Sequence, residues 1–482
     1  MFININKYLI LSQRKKLDYS LINLIFVAVI SHYSTLLFLL AMKDTPINYE
    51  VVSRYIRESN IRNVGRASIR EIKRLINNIE QETGDKFVRM EMGVPGLVPP
   101  EIGINAEIEA LKSGVAAIYP DIEGFPALKR EASRFVKLFL DIDVDAAGCV
   151  PTVGSMQGGF AAFLTLSRIY KERDTTLLID PGFPVHHQQH IVLGLKFESF
   201  DVYDYRGDKL RDKLESYFSK GNIHSILYSN PNNPSWICFT DHELQIIGEL
   251  ANKYNVIILE DLAYFGMDFR KDYSVPGVPP FQPTVAKYTE NYILMISSSK
   301  AFSYAGQRVS CMIISNKVFN SKMPDLLRFY TTDLFGRAMI YGTIYALSAG
   351  TSHSAQYALA AMLKAVNDGT YNFIAAVREY GDRAKIMKRL FLENGFHIVY
   401  DQDEGVPIGD GFYFTFAYPG FTGEQLLEEL LYYGISAIAL TITGSTRIEG
   451  IRACVSLVQR EQFPELEFRL KKFHEQHQAI EN

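Results

Sequence analysis

Residues 292–308 read YILMISSSKAFSYAGQR, an apolar run followed by three serines, a lysine and, eight residues later, an arginine. Similar short runs recur along the middle of the chain: TTLLID (175–180), KFESF (196–200), SILYS (225–229), VIILED (256–261) and SCMIIS (310–315). Helical patterns such as DHELQIIGELANKY separate them. Because apolar runs without alternation are typical of strands buried on both faces, we predict an α/β domain of three layers, with a mostly parallel sheet between helices.

The two ends of the chain follow other patterns. Residues 48–81 predict a helix with one apolar face, and the Gly/Pro-rich MGVPGLVPPEIG that comes next predicts a loop. From about Leu347 the chain returns to helix and then gives GFYFTFAYPG, GEQLLEELLYYG and IRACVSL, which indicates a smaller α+β domain. We therefore divide the chain into a first part of the small domain (43–115), a large ligand-binding domain (116–346) and the rest of the small domain (347–482).

Composition limits the classes of function. The 482 residues are 47% hydrophobic and 22% charged, as in folded globular proteins, and the net charge of −4 argues against a nucleic-acid partner. The four cysteines lack metal-ligand spacing, so we expect reduced core thiols, no metal site and a cytoplasmic protein.

The amino terminus complicates this expectation. The apolar segment 21–42 approaches the length of a membrane span, but a polar stretch interrupts it at residues 31–35. Polar, foldable sequence begins directly after Met42, as it would after a true start. We favour an extension ahead of the functional start, with a membrane anchor through residues 21–42 as the alternative.

Polar residues come after several of the predicted strands, at the sheet edge where parallel α/β proteins bind ligands. One group suits a phosphate. PTVGSMQGGF (151–160) opens a helix, so the amides of Ser155, Met156 and Gln157 are available to an anion, and Arg308 can grip two phosphate oxygens. Alone, such a glycine-rich turn is weak evidence, because many strand-to-helix turns need glycine for geometry.

A second group suits an aromatic aldehyde. Lys300 can form an imine, and Asp261 can keep a pyridine nitrogen protonated. Asn233 and Tyr264 can donate to a phenolic oxygen, and Phe183 can stack on the ring. Each of these also has an ordinary structural interpretation, such as a cap or a turn. Together with the phosphate group they point to one ligand, an aromatic aldehyde phosphate.

The chain resembles the class I/II aminotransferases, which are pyridoxal-phosphate-dependent enzymes of fold type I. The matching motifs, in the family's order, are YPDIEG (119–124), GSMQG (154–158), DPGFP (180–184), NPNNP (230–234), EDLAY (260–264), SSSKAFSYAGQR (297–308) and IRACVS (451–456). The resemblance implies pyridoxal 5'-phosphate as cofactor, with Lys300, Asp261 and Tyr264 as catalytic residues and Lys300 as the Schiff-base lysine.

The resemblance also implies roles that the residues alone do not. Ser297 would join Ser155 and Arg308 on the phosphate. Tyr119 would reach the phosphate of a neighbouring subunit, which implies a homodimer. Arg452 would hold the substrate α-carboxylate, helped by Asn233 and by backbone near Gly93 and Val94.

The implied reaction is transamination between an amino acid and a 2-oxo acid. The free Lys300 amine would remove the substrate α-proton and return it to the cofactor carbon, while Asp261 keeps the ring nitrogen charged. A carbon–sulfur lyase on the same fold is the alternative, since the fold does not decide which bond breaks after deprotonation. A non-catalytic cofactor-sensing module is a third interpretation, although residues 43–90 carry no helix-turn-helix signal.

A few residues fit the pattern less well. Ser235 and Trp236 come after NPNNP where the family commonly has Thr-Gly, so Trp236 is a core residue or a modifier of the loop beside the site. His186, His187 and His190 lack a complete metal-ligand set, and we interpret them as polar helix residues.

Overall fold

The computed structural model describes residues 44–478. The apolar segment 21–42 lies outside this range. The α-helices are α1 (Tyr49–Glu58), α2 (Ile69–Thr83), α3 (Glu101–Lys112), α4 (Pro126–Leu140), α5 (Gly154–Leu166), α6 (Pro184–Leu193), α7 (Lys209–Phe218), α8 (Asp241–Tyr254), α9 (Ser298–Ala301), α10 (Asn316–Asn320), α11 (Phe335–Arg337), α12 (Tyr345–Ser348), α13 (His353–Asn367), α14 (Phe373–Val377), α15 (Glu379–Glu393), α16 (Gly423–Tyr432) and α17 (Phe463–His477). A π-helix spans Ala338–Ile344.

The strands are β1 (Val88–Arg89), β2 (Cys149–Thr152), β3 (Thr175–Asp180), β4 (Lys196–Asp201), β5 (Ile223–Ser229), β6 (Ile257–Leu262), β7 (Tyr292–Ser297), β8 (Ser310–Ile314), β9 (His397–Ile398), β10 (Gln402–Asp403), β11 (Val406–Pro407), β12 (Tyr413–Ala417), β13 (Ile435–Ser436), β14 (Ile438–Ala439) and β15 (Ile451–Cys454). Short 3₁₀ turns occupy Val64–Arg66, Val115–Ala117, Ala146–Gly148, Tyr203–Tyr205, Val285–Lys287, Ala305–Gln307, Pro324–Arg328, Leu440–Thr443 and Arg460–Gln462.

The large sheet has seven strands in the order β2-β8-β7-β6-β5-β3-β4. The neighbours from β7 to β4 pair in parallel, and β8 runs antiparallel to both β7 and β2. The loops that leave β5, β6 and β7 therefore emerge side by side at one edge of the sheet. This edge is where ligands bind in such folds.

Both faces of the large sheet are buried, because successive side chains of a strand point to opposite faces. In β7, Leu294 and Ile296 belong to the apolar cluster that also holds residues of α4 and α8. Ile293 and Met295 belong to the cluster on the other face, which holds residues of α5 and the π-helix. The predicted three-layer α/β arrangement is thus confirmed.

A four-stranded antiparallel sheet, in the order β14-β15-β12-β9, forms a smaller α+β unit near the carboxyl terminus. The amino-terminal residues join this unit, since β1 pairs in parallel with β13 and α1 packs against α16. The loop after β1 then runs past β15, where the Cys454 N–H donates to the Met90 carbonyl at 2.9 Å. This connection brings the segment after Met90 to the edge of the large sheet.

Local signals explain where the elements differ from expectation. The helix predicted over 48–81 is two helices, because Asn63 caps the 3₁₀ turn and Ser68 forms a capping box with Glu71 at the start of α2. Strand β2 is an element that the sequence pattern does not predict. It lies at the sheet edge and contains Pro151, which a central strand would not tolerate.

Two further findings concern the described residues. The four cysteines are free thiols, and Cys149, Cys311 and Cys454 are buried, as predicted. Within residues 44–478, the structure contains no helix with both the length and the apolar character that a bilayer crossing requires.

Candidate active site

A cavity of about 310 Å³ lies at the carboxyl ends of β5, β6 and β7 and is closed on the other side by the smaller unit. The residues predicted from the sequence that line it are Gly93, Val94, Ser155, Met156, Phe183, Asn233, Asp261, Tyr264, Ser297, Lys300, Arg308 and Arg452. Residues from both ends of the chain therefore meet around one space.

Lys300 projects from α9, which begins directly after β7. Its amine donates a hydrogen bond to the Gly93 carbonyl and lies 5.2 Å from the centre of the Phe412 ring. Burial is the main cause that lowers the pKa of Lys300 to about 8; Arg452 and Arg308 act in the same direction, and Cys454 opposes them. An amine with this pKa is neutral often enough near neutral pH to act as a nucleophile or base.

Asp261 is near the end of β6 and faces the cavity. Burial raises the pKa of its carboxyl to about 6, although the Ala263 N–H donates to it at 3.1 Å. The nearest ring nitrogen is His186 Nε2, at 4.0 Å from Oδ2. Burial lowers the pKa of His186 to about 3, so this imidazole is neutral and brings no charge to Asp261. A cationic partner would therefore be well matched to the carboxylate.

The start of α5 has the features that an anion site requires. Val153 provides no capping side chain, which leaves the amides of the first turn available. Ser155 Oγ is buried without a hydrogen-bond partner among the described residues. The Arg308 guanidinium lies so close that a Cβ on Gly154 would be 2.4 Å from Nη2. Gly154 also has φ +67°, so glycine serves both the turn and the close approach.

A chain of polar contacts joins the smaller unit to the loop after β5. Arg452 Nη1 donates to Asn233 Oδ1 at 3.2 Å, and Asn233 Nδ2 donates to the Tyr264 hydroxyl at 3.4 Å. The Tyr264 and Tyr413 hydroxyls are 2.8 Å apart. Arg452 also donates to the Glu91 carbonyl at 2.5 Å and lies over the Tyr413 ring. These contacts hold the guanidinium of a side chain that is only 1% exposed.

These groups fit pyridoxal 5'-phosphate. The unpartnered Ser155 hydroxyl, the free amides of α5 and Arg308 match a phosphate. Lys300 matches the aldehyde, and the Asp261 carboxylate matches a protonated pyridine nitrogen. The structure thus brings the sequence-predicted groups together around one space of suitable chemistry.

Two of the predicted residues do not line the cavity. Gln157 turns its side chain away, because its Oε1 accepts from the Val153 N–H at 2.8 Å and its Nε2 donates to Ser348 Oγ at 2.6 Å. Tyr119 is 91% exposed and lines a separate concavity beside the π-helix. The role predicted for Tyr119 at the phosphate of a second subunit stays a prediction.

The cavity also contains residues that the sequence interpretation did not assign to the site, and His186 and Tyr413 are the polar ones closest to its predicted groups. His186 is buried and faces Asp261, so it is more than a polar residue on a helix surface. Its position in the first helical turn after the DPGFP motif could have indicated that it lies near the site. Tyr413 is the first residue of β12, which pairs with β15, the strand of Arg452. This strand pairing could not be predicted from the sequence. Trp236 is buried behind Tyr264 and does not line the cavity.

Comparisons with known proteins give the family and the fold of this chain. A family model described as aminotransferase class I and II matches residues 90–466. A probable aspartate aminotransferase of Methanocaldococcus jannaschii is 24% identical over 365 residues, 70% of this chain and 88% of that protein. The crystal structure of an aspartate aminotransferase from Thermotoga maritima has a TM-score of 0.67 at 18% identity and covers 87% of this chain and 99% of that one. An alanine aminotransferase from Pyrococcus furiosus has a TM-score of 0.68 at 19% identity, with 86% and 98% covered.

Proposed function

This chain belongs to the class I and II aminotransferases, and we propose that it moves an amino group between an amino acid and a 2-oxo acid with pyridoxal 5'-phosphate held at Lys300. The observation that carries the proposal is the meeting of Lys300, Asp261 and Arg308 around one cavity. These three groups address the aldehyde, the ring nitrogen and the phosphate of one molecule.

The bound cofactor supplies an electron-withdrawing ring that makes the substrate α-proton acidic. Asp261 supports this by holding a proton on the ring nitrogen. The burial of Asp261 favours this pairing, because an unpaired carboxylate is costly in a buried position. Ser155 and Arg308 anchor the phosphate, so that the ring keeps its orientation while bonds at the other end change. Asn233, Tyr264 and Phe183 line the same cavity, and in this proposal the first two bind the ring oxygen.

Lys300 is the group that moves protons. Its lowered pKa keeps the released amine partly neutral, so that it can accept the substrate α-proton and then donate it. The Gly93 carbonyl orients this amine through a hydrogen bond that it can exchange during the cycle. One residue thus serves as base and then as acid without leaving its position.

Arg452 binds the substrate carboxylate in this proposal. Its guanidinium is buried, and its Nε has no hydrogen-bond acceptor within the described part of the chain. A carboxylate entering the cavity would complete its hydrogen bonds, with two parallel contacts favoured by the geometry of the guanidinium. The amides near Gly93 and Val94 line the same end of the cavity.

We also propose a homodimer in which Tyr119 reaches the phosphate of the second subunit. The exposed Tyr119 lies near Tyr341 and Tyr345, which are 44% and 57% exposed and line the same concavity. Large aromatic side chains exposed together are common where another chain binds.

The proposal is tested by mixing the cofactor-loaded protein with a panel of amino acids and following the release of the matching 2-oxo acid. We expect oxo-acid formation, and its loss in Lys300→Ala but not in the surface control Lys317→Ala. Formation of pyruvate, ammonia and thiocysteine from cystine would instead indicate a lyase. Transamination by Lys300→Ala at the wild-type rate would disprove the assignment.

A further inference from the structure

We propose that the preferred amino acid substrate has an uncharged, apolar side chain, recognised by Ile69, Met92 and Val94. The inference rests on the proposed transamination and adds the substrate class. All three residues line the cavity that contains Lys300 and Arg452. Ile69 is the first residue of α2, and the other two flank Gly93 in the loop after β1.

The charges of the cavity support this choice. Among the described residues that line it, the cations are Lys300, Arg308 and Arg452. The proposed function already uses all three, for the aldehyde, the phosphate and the α-carboxylate. A second carboxylate, as in aspartate, would find no further cation among the described residues of this chain that line the cavity, and burying an unpaired charge is strongly unfavourable.

The neighbouring cations Arg66 and Arg70 do not line the cavity. Arg66 Nε donates to Glu424 Oε1 at 2.6 Å, and Arg70 is exposed to solvent. A basic side chain is disfavoured too, because Asp261 is the acidic group of the cavity and faces the ring-nitrogen position. Neither sign of charge on a substrate side chain therefore finds a free partner among the described residues that line the cavity.

The apolar wall is held in a fixed position, which a specificity surface requires. The Val94 carbonyl accepts from Ser456 Oγ at 2.5 Å, and the Gly93 carbonyl accepts from Lys300. Gly93 also passes so close to Tyr413 that a Cβ would be 2.2 Å from the tyrosine oxygen. The Ser456 hydrogen bond and the close approach to Tyr413 therefore hold the backbone between Met92 and Val94 in place, whichever position the Lys300 amine takes.

The test compares half-reactions of the cofactor-loaded full chain with L-leucine, L-methionine, L-phenylalanine, L-aspartate and L-lysine. We expect kcat/KM for the best apolar amino acid to exceed that for aspartate and lysine by at least about 100-fold. If kcat/KM for aspartate lies within about tenfold of the value for the best apolar substrate, the inference is wrong. This holds whether the cation that pairs with the aspartate side chain belongs to this chain or to a second subunit. If no amino acid reacts, the proposed transamination itself is wrong.

Variants locate the specificity. Ile69→Ala should lower kcat/KM for leucine by about 10-fold and leave L-alanine within about twofold, since the lost contact lies beyond the alanine methyl group. Met92→Ala gives a second, independent reading with the same expected pattern. Ile191→Ala is the matched control, because Ile191 is exposed and does not line the cavity. Equal losses for leucine and alanine in both cavity variants would contradict the assignment.

Discussion

The Arg452 guanidinium donates to the Asn233 side-chain oxygen at 3.2 Å and thereby joins the small antiparallel sheet to the loop after β5 of the large sheet. The two residues are 219 positions apart in the chain. The contact places the proposed carboxylate-binding group beside the proposed ring-oxygen donor, and in the proposed function it would hold substrate and cofactor in a fixed relation.

Arg452→Lys should raise KM for the amino acid about 10- to 100-fold, because an ammonium cannot make the paired contacts of a guanidinium. The measurement is steady-state kinetics at saturating oxo acid. Arg447→Lys is the control, since Arg447 is close to Arg452 in the sequence but pairs with Asp204 outside the cavity. An unchanged KM in the Arg452 variant would remove this residue from substrate binding.

Lys300 should destabilise the cofactor-free protein in a pH-dependent way. Its pKa falls from 10.5 in the unfolded chain to about 8, so the unfolded state binds more protons between these values and stability rises as pH increases from 8 to 10.5. Below pH 8, Lys300→Met should be more stable than the wild type by up to about 3 kcal/mol, from roughly 1.4 kcal/mol per pKa unit. Urea unfolding across this range should show the gap closing, and a constant gap would contradict the lowered pKa.

Asp261→Asn should lower kcat at least about 100-fold, because an amide cannot hold a proton on the ring nitrogen and electrostatic support of the reacting state is lost. The measurement is a single-turnover rate at saturating cofactor. Asp208→Asn is the control, since Asp208 is exposed, does not line the cavity and has His242 as its partner. A kcat near the wild-type value would exclude Asp261 from the catalytic role.

A buried ionic network should contribute to stability without affecting chemistry. Arg206 pairs with Glu243 at 2.6 Å and with Asp403 at 3.0 Å, and all three side chains are less than one-tenth exposed. Arg206→Met leaves two buried carboxylates without this partner and should cost about 3–5 kcal/mol. In the exposed pair Arg211–Glu249, Arg211→Met should cost no more than about 1 kcal/mol. Urea unfolding of both variants measures the difference, and equal costs would contradict it.

Tyr119→Phe should weaken cofactor binding, because the variant loses one hydroxyl donor to the phosphate of the second subunit. A loss of about 10-fold in affinity corresponds to one such hydrogen bond. The measurement is cofactor titration of the apoprotein, with sedimentation to establish the dimer. Tyr371→Phe, a tyrosine outside the two concavities, is the control. A monomer with unchanged affinity would contradict the cross-subunit role.

The sequence was most informative where chemistry and secondary structure coincide. The runs 175–180 and 292–297 match β3 and β7 residue for residue, and the groups after the runs meet in the cavity because parallel strands share one edge. The site contacts that could not be predicted from the sequence depend on tertiary packing. The contact of His186 with Asp261 and the place of Tyr413 beside Arg452 depend on helix orientation and strand register. The domain boundaries at residues 115 and 346 stay a prediction.

Trp236 is the only tryptophan of the chain, and its ring packs edge-on against Tyr264 and Tyr413. An added Cβ on Gly411 would be 2.0 Å from the indole, so the ring is tightly confined. Trp236 therefore provides an intrinsic tryptophan fluorescence signal from beside the cavity. Intrinsic emission excited at the indole should change when the neighbouring cavity fills, which offers a label-free readout of occupancy in the wild type and in each variant.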